Sequence, residues 1–539
     1  MKTLTREIIE NGKAVLGVEF GSTRIKAVLI DPSNKPVAKG FFQWENRFEN
    51  GFWTYPVQDI WTGLKKAYSS LCDDVKNKYG VEIKKLAAIG FSAMMHGYLA
   101  FDSKGNLLVP FRTWRNTTTQ KAAEILTSKF SFRIPQRWSI AHLYQAILND
   151  EEHVKDISFI TTLAGYIHWK LTGEKVLGIG DASGMFPVDS QTYSYDENLI
   201  DIFNNLISGK KYPWKIQDIL PKIKLAGEFS GELTEEGAKL IDPNGNLEAK
   251  IPLCPPEGDA GTGLTATNCV APYTGSISSG TSIFAMVVLD KSSPDYNKEF
   301  DMVATPTGNP VAMVHCNNCT SGINAWVKLF SEVSHTLGGE TDMNKIFEAL
   351  YKKALDGSSD CGGLLSYNFL SGEPVLNLDS GIPMFMPLPG SDFNLGNFMR
   401  SQLYTSMAAL KISMDRMLKK DKTKIKQLVG HGGLFKTKNV AQKFMADALG
   451  IPVSVIETAD EGGAFGMALL ASYMLNKEKY KSLEEFLLEE VFDKSEISTI
   501  HPSEMDTDGF QKYLDTYIKY LPVEKEAIEL WKKERSINA

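Results

Sequence analysis

Apolar residues form alternating or unbroken β-branched runs over residues 15–20, 25–30, 36–44, 87–92 and 98–102, which predicts five early strands. The polar links IDPSNKPV and FDSKGNLLV each read as strand, turn, strand, which predicts two hairpins. Between them, VQDIWTGLKKAYSSLCDDVKNKYG sets apolar side chains at helical spacing, charges on the opposite face and a glycine at the end, so a helix is expected. From 117 to 170 the spacing is mostly helical, and 225–256 reads as a connection ending in a strand, KIPLCPP.

The opening pattern then returns. LGVEFGSTRIKAVLID, residues 16–31, and TGSISSGTSIFAMVVLD, residues 274–290, both run β-type segment, glycine-hydroxyl corner, β-type segment, Asp. A separation near half the chain is far too long for a repeat array and points to a duplicated domain. In the C-terminal third, KIKQLVGHGGLFKTKNVAQKFMADALGIPVSVIE reads as strand, glycine turn, helix, strand, and EGGAFGMALLASYML as a helix of small residues. The last sixty or so residues are charged and helical, a surface cover. The whole is an α/β chain, divided on sequence into 13–255, 256–480 and a helical extension over 481–539.

A length of 539 residues is too great for one hydrophobic core. A hydrophobic content of 43% and a charged content of 23% are those of an ordinary soluble protein. The formal net charge of −7 argues against an electrostatic surface for nucleic acid or anionic membrane. An anionic substrate must then be held by backbone N–H groups, a metal or a few basic side chains. The start MKTLTREIIENGK carries no apolar h-region, and no stretch reaches the roughly 18 apolar residues that span a bilayer. The six cysteines make no disulfide framework, and the lone Cys316-x-x-Cys319 pair is not a zinc site, so reduced thiols in a cytoplasm are expected.

Several short stretches could carry chemistry. The corners Gly21-Ser22-Thr23 and Gly280-Thr281-Ser282 expose successive backbone N–H groups beside hydroxyls, a phosphate cradle that needs no net positive charge. Read alone, each is a hairpin turn. Glu19, two residues before the first corner, would repel phosphate unless a divalent cation lay between them; Mg²⁺ fits, and the alternative is an edge-strand acid facing solvent. The glycines of GHGGLFKTKN, 430–439, allow close approach to a flat ligand or simply turn the chain into a helix. Asp259 in PPEGDAGTGLTA is either a helix cap or a general base in a niche of small residues. Met95, His96 and Gly97, with Trp114, Arg115 and Asn116, suit a small polyol that takes an aromatic floor and convergent polar groups.

In this order and spacing, the pieces VEFGSTRIKAVLID, MHG, W-R-N, LTGE, GDASGMFPVD, GDAGTG, SSGTS and GHGG make the sequence resemble the FGGY family of carbohydrate kinases over roughly residues 13 to 475. MHG and DASG look most like xylulokinases and other ketopentose kinases. The resemblance implies two ribonuclease-H-like domains of the actin, Hsp70 and sugar-kinase superfamily around a central cleft that takes ATP and Mg²⁺. By position, Asp259 is similar to the family's catalytic base and Glu19 to its metal-side acid. Gly21, Ser22, Thr23 and Arg24, then Gly280, Thr281 and Ser282, resemble the two phosphate loops, and Gly432, Gly433 and Lys436 the adenosine loop. Met95, His96, Gly97, Trp114 and Asn116 resemble sugar contacts.

The chain departs from the family pattern where Glu19 replaces the usual Asp, where Asn116 replaces Asp, and in IPQRWSIAHLYQAILND and PLPGSDFNLGNFMRSQLY. The implied activity is ATP-dependent phosphorylation of a ketopentose, D-xylulose first, at its C5 hydroxyl. L-ribulose is the alternative within the class. A sugar-binding pseudokinase and a chaperone-like ATPase are the alternatives outside it. The expected partners are the sugar and ATP, with no nucleic acid and no membrane; the sequence leaves monomer or homodimer open.

Overall fold

The computed structural model describes residues 2–292, 298, 300–421, 425–456, 462–493 and 497–537. The chain forms two compact units, Met1–Pro272 with Val288–Ala312 and Glu461–Ser495, and Tyr273–Val287 with Met313–Asp460 and Glu496–Ala539.

In the first unit, β1 (Val15–Phe20), β2 (Arg24–Ile30), β3 (Pro36–Gln43), β4 (Ala88–Ala93) and β5 (Glu257–Gly258) form one sheet in the order β5-β4-β1-β2-β3. β1 and β2 are antiparallel, as are β2 and β3, while β1, β4 and β5 run parallel. The predicted hairpin at IDPSNKPV closes through Asp31, whose backbone N–H donates to the Lys35 carbonyl and whose carboxylate accepts from the N–H of Ser33 and Lys35. Helix α1 (Val57–Tyr79) lays Ile60, Trp61, Leu64, Ala67, Leu71 and Val75 on the sheet and ends at Gly80 in a left-handed cap. It approaches so closely at Gly40 that a Cβ there would lie 2.2 Å from the Leu71 nitrogen. The expected strand at 98–102 is Leu99–Phe101, paired with Phe159–Thr161 outside the main sheet, and the helical stretch 117–170 resolves into Gln120–Phe130, Ser139–Leu148 and Leu163–Thr172.

Two helices distant in sequence complete this unit, α2 (Asp259–Ala266) and α3 (Gly462–Asn476). The linear division at 255 and 480 therefore does not follow the packing. The physical reason is a seam without side chains. A Cβ at Gly17 of β1 would lie 2.1 Å from the Ala464 carbonyl oxygen, and one at Gly466 of α3 would lie 1.9 Å from the Thr262 carbonyl oxygen. Glycine at both positions brings backbone against backbone and fixes α3 on β1 and α2.

The second unit repeats the plan. β6 (Thr274–Ser279), β7 (Ile283–Val288), β8 (Pro310–Cys316), β9 (Gln427–Gly432), β10 (Val453–Ile456) and β11 (Ile497–Ile500) lie in the order β8-β7-β6-β9-β10-β11. β6 is antiparallel to β7 and parallel to β9, and β9 is parallel to β10. The antiparallel corner hairpin flanked by two later parallel strands recurs from the first sheet, which agrees with the duplication read from the two corners. The long C-terminal helix Glu504–Ile537 is an integral part of this unit and not a loose cover. Tyr513 and Tyr517 are buried, Tyr367 donates to the Tyr517 carbonyl, and Asp506 is paired with both Arg400 and Lys443. Among the described residues no helix is long and apolar enough to cross a membrane.

Candidate active site

The first unit gathers Glu19, Gly21–Thr23, Met95–Gly97, Trp114 and Asp259. β4 ends at Ala93, and the chain bends at His96 and Gly97, both with positive φ (68° and 83°). A side chain at Gly97 would strike the Phe111 ring and the Arg112 carbonyl. Left-handed backbone at a histidine is strained, and the fold holds it by seating the imidazole: its Nδ1 lies 3.0 Å from the Gly184 carbonyl. A carbonyl accepts only, so Nδ1 carries the proton and Nε2 is left as an acceptor. Burial, then the Arg137 guanidinium, pushes the His96 pKa down to about 3, which keeps the ring neutral.

Asp259 opens α2 directly after β5. Its Oδ1 accepts the Met95 N–H at 3.1 Å, so the carboxylate reaches the turn of β4 and is more than a cap of its own helix. It is open to solvent yet ringed by protein, and that desolvation raises its pKa. Glu19 lies on β1, the middle strand of five, opposite Lys26 and Ser92, so the edge-strand alternative is excluded. Its carboxylate accepts a backbone hydrogen bond from Ala464, and burial followed by the Asp259 charge pushes its pKa up to about 7 against the pull of Lys26. A Cβ at Gly463 would meet the Glu19 carboxylate at 2.5 Å and the Thr262 hydroxyl at 2.7 Å, and that hydroxyl is 3.1 Å from Ser92 Oγ. Two acids in one niche, with Lys26 the cation that lowers Glu19 among the described residues, is an excess of negative charge that a divalent cation would relieve. No group of three or more metal-ligating side chains occurs among the described residues.

The first corner has its carbonyls tied back. The Trp44 indole donates to the Gly21 carbonyl at 2.7 Å, the Tyr55 hydroxyl to that of Ser22 at 2.6 Å, and the Trp44 N–H to that of Thr23 at 3.2 Å. Among the described residues nothing accepts from the N–H of Ser22 or Thr23. The Trp114 indole, half-exposed, donates to Ser22 Oγ at 3.3 Å, while Arg24 lies over the Phe41 ring. In the second unit the other corner is built in the same way by different means. Thr320 donates to the Gly280 carbonyl through both N–H and hydroxyl, and Cys319 N–H donates to that of Thr281. Gly432, at φ 96°, packs on the Ser279 carbonyl, where a Cβ would lie at 2.2 Å, and Leu434 N–H donates to Ser279 Oγ. Gly280, Thr281 and Gly433 are exposed beside half-exposed Ser282, and Lys436 is exposed.

Asn116 does not meet its expectation. It is buried, both amide hydrogens go to the backbone carbonyls of Trp53 and Thr113, and its oxygen accepts the Trp53 N–H. It pins the loop that carries Trp114 and has no hydrogen left for a sugar. Sequence reasoning missed Lys26, Ser92 and Gly463 around Glu19. Lys26 could have been found by counting register outward from the Gly21–Thr23 turn; Ser92, on a distant parallel strand, and Gly463 carried no such signal. Glu257 and Asp181 were also missed: the Glu257 carboxylate accepts the N–H groups of Gly180, Asp181 and Gly258. The thiols of Cys316 and Cys319 are buried and pushed up, as inert structural cysteines are.

Residues 14–264 match the N-terminal domain of the FGGY family of carbohydrate kinases, and residues 275–475 match its C-terminal domain. A xylulose kinase of Lactococcus lactis subsp. lactis (strain IL1403) is 21% identical over 477 residues, covering 85% of this chain and 87% of that protein. The ligand-bound xylulose kinase of Lactobacillus acidophilus superposes with a TM-score of 0.75 at 16% identity, over 95% of this chain and 98% of that one. The gluconate kinase of the same species gives 0.76 at 17% identity, over 95% and 98%. These structural likenesses carry the fold, a two-domain sugar kinase fold. With both family domains matched in order and together spanning most of its length, the chain belongs to the FGGY family of carbohydrate kinases.

Proposed function

We propose that this sugar kinase transfers the γ-phosphoryl group of ATP to the C5 hydroxyl of a ketopentose, D-xylulose first. The observation that carries the reading is the solvent-open Asp259 carboxylate, held by the Met95 N–H at the His96-Gly97 turn and sharing its unit with Glu19. Asp259 takes the proton of the attacking hydroxyl, the sugar oxygen bonds to the γ-phosphorus, the bond to the bridging oxygen breaks, and ADP leaves. Phosphoryl transfer asks for alignment and charge stabilisation, and the tied-back corners with N–H groups at 22 and 23 are suited to the phosphate oxygens. Gly280–Ser282 serve the same end, and Gly432 and Gly433 leave room for the adenosine. His96 Nε2 accepts from a sugar hydroxyl, and Trp114 offers the apolar face. Glu19 would hold Mg²⁺ through water; the ion supplies neutralising charge to the transferring group. The work of such an enzyme belongs to cytoplasmic carbohydrate metabolism.

A coupled ADP-release assay over xylulose, ribulose, gluconate and glycerol tests this. Xylulose should give the highest kcat/KM, and Asp259→Asn should lower kcat about 10²-fold or more with sugar binding retained. Sugar-dependent ADP release by Asp259→Asn near the wild-type rate would remove Asp259 as the base.

A further inference from the structure

The segment Gly178–Gly184 does more than its motif suggests. Gly184 orients His96, and Gly178 and Gly180 lie so close to the Glu257 carboxylate that Cβ atoms there would stand 2.2 and 2.5 Å from its oxygens. Between them Asp181 is fully buried. Its Oδ2 accepts the Thr162 hydroxyl at 2.6 Å, and Thr162 in turn accepts the Gly165 N–H. Among the described residues its Oδ1 has no partner, and it lies 3.1 Å from where a Cβ of Gly258 would sit, one residue before the base.

Among the described residues the groups that face Asp181 are the hydroxyl of Thr162, the N-cap of Leu163–Thr172, Glu257 on β5, Asp259 on α2 and Tyr195 on the short strand Ser194–Tyr195, whose own hydroxyl is buried and unpartnered there. No lysine or arginine stands among them. A buried carboxylate with one hydrogen bond and no cation is costly, and Glu257 beside it is likewise pushed up by burial, to about 8, against the pull of its three N–H donors. Oδ2 is committed as an acceptor, so the proton of a neutral Asp181 belongs on the orphaned Oδ1.

We propose that Asp181 is a positioning residue for the Asp259 base, a carboxyl kept neutral beside Gly258 so that Asp259 alone carries charge there, and whose ionisation in alkaline solution switches the site off. The inference rests on the kinase reading for its link to turnover. Burial, less the Thr162 hydrogen bond and added to by the Asp259 charge, pushes Asp181 up to about 8. Below that pH one negative charge sits at the base. Above it Asp181 adds a second negative charge beside the base, which repels the phosphates and raises the proton affinity of Asp259.

The test is the pH profile of kcat/KM for the sugar. The wild type should fall on the alkaline side near pH 8. In Asp181→Asn, which keeps the shape and the acceptor for Thr162 but cannot ionise, that fall should move up by at least one pH unit, with kcat at neutral pH lowered no more than about tenfold. Thr162→Val, which removes the hydrogen bond favouring the anion, should move it up as well. Infrared difference spectra of the wild type should show a protonated carboxyl at pH 7 that titrates near pH 8 and is missing in Asp181→Asn. This readout needs no turnover, so an enzyme that phosphorylates none of the polyols would sink the kinase reading and leave the carboxyl to be judged by its spectrum. An alkaline fall unmoved in both variants, or no such carboxyl in the spectrum, overturns the proposal.

Discussion

Gly466→Ala places one methyl group where α3 crosses α2. The new Cβ would stand 1.9 Å from the Thr262 carbonyl oxygen, 2.8 Å from its carbon and 3.2 Å from the Ala266 nitrogen, all backbone. No rotamer change relieves contacts with backbone, so the two helices must separate by more than an ångström. Overpacking of this kind costs about 1–3 kcal/mol, and with two helical backbones in conflict the upper end applies. Alanine returns about 1 kcal/mol of helix propensity, which leaves a net loss of about 2 kcal/mol. In a unit of this size that is a fall of about 3 °C in Tm. Gly263→Ala is the matched control: it lies on the partner helix α2, its φ is ordinary, and nothing stands within 4 Å of its Cβ position. It should hold or raise Tm. Scanning fluorimetry separates the two. Separation of the helices also draws Gly463 from Glu19 and Thr262, so ADP release should fall with Gly466→Ala even at temperatures where the protein is folded. A Gly466→Ala protein that melts with the wild type or with Gly263→Ala would refute the close-contact account of why residue 466 is glycine.

Gly280→Ala separates ligand approach from folding at the second corner: its Cβ position meets nothing within 4 Å and its φ is ordinary, so Tm should be unchanged while KM for ATP rises several-fold. An unaltered KM would show that no phosphate comes close to that backbone. The buried acids also make stability depend on pH. Burial pushes Asp181 and Glu257 up to about 8 from 3.8 and 4.5, so the folded state binds their protons more tightly than the unfolded chain. The stability they allow is complete below about pH 4 and is lost as pH rises through 8, at roughly 1.4 kcal/mol per pH unit for one proton. Thermal melts should therefore decline from pH 5.5 to pH 8.5, and Asp181→Asn should flatten the slope; a melting temperature that rises over that range would contradict the burial of these acids.

Local chemistry explains what the sequence disclosed. The corners at 21–23 and 280–282, the hairpin at Asp31 and the Gly80 stop are set by turn residues and period, which need no knowledge of the rest of the chain. Glu19 stayed ambiguous between edge and centre because strand order is a long-range property: β4, more than sixty residues on, makes β1 a middle strand. The placing of α3 with the first unit depended on Gly17 and Gly466, and a glycine in a strand or a helix gives no hint of which backbone will touch it. Asn116 misled because its amide could satisfy a ligand or a backbone equally well, and the Trp53 peptide that claims it lies in a three-residue strand, Phe52–Thr54. Asp181 and Glu257 read as motif letters until the missing Cβ atoms of Gly178 and Gly180 showed a carboxylate filling their space.

The carbonyls of both glycine corners are fastened by groups that come from elsewhere in their own units, the indole and phenol of Trp44 and Tyr55 in one and the hydroxyl of Thr320 in the other. Each corner is thus rigid before anything docks, and its peptide dipoles already point the way an anion would turn them. A nucleotide would meet a finished surface, with little of its interaction energy consumed in ordering loops. Loss of Tyr55 or Thr320, neither of which need touch a phosphate, would cost affinity by letting those dipoles wander.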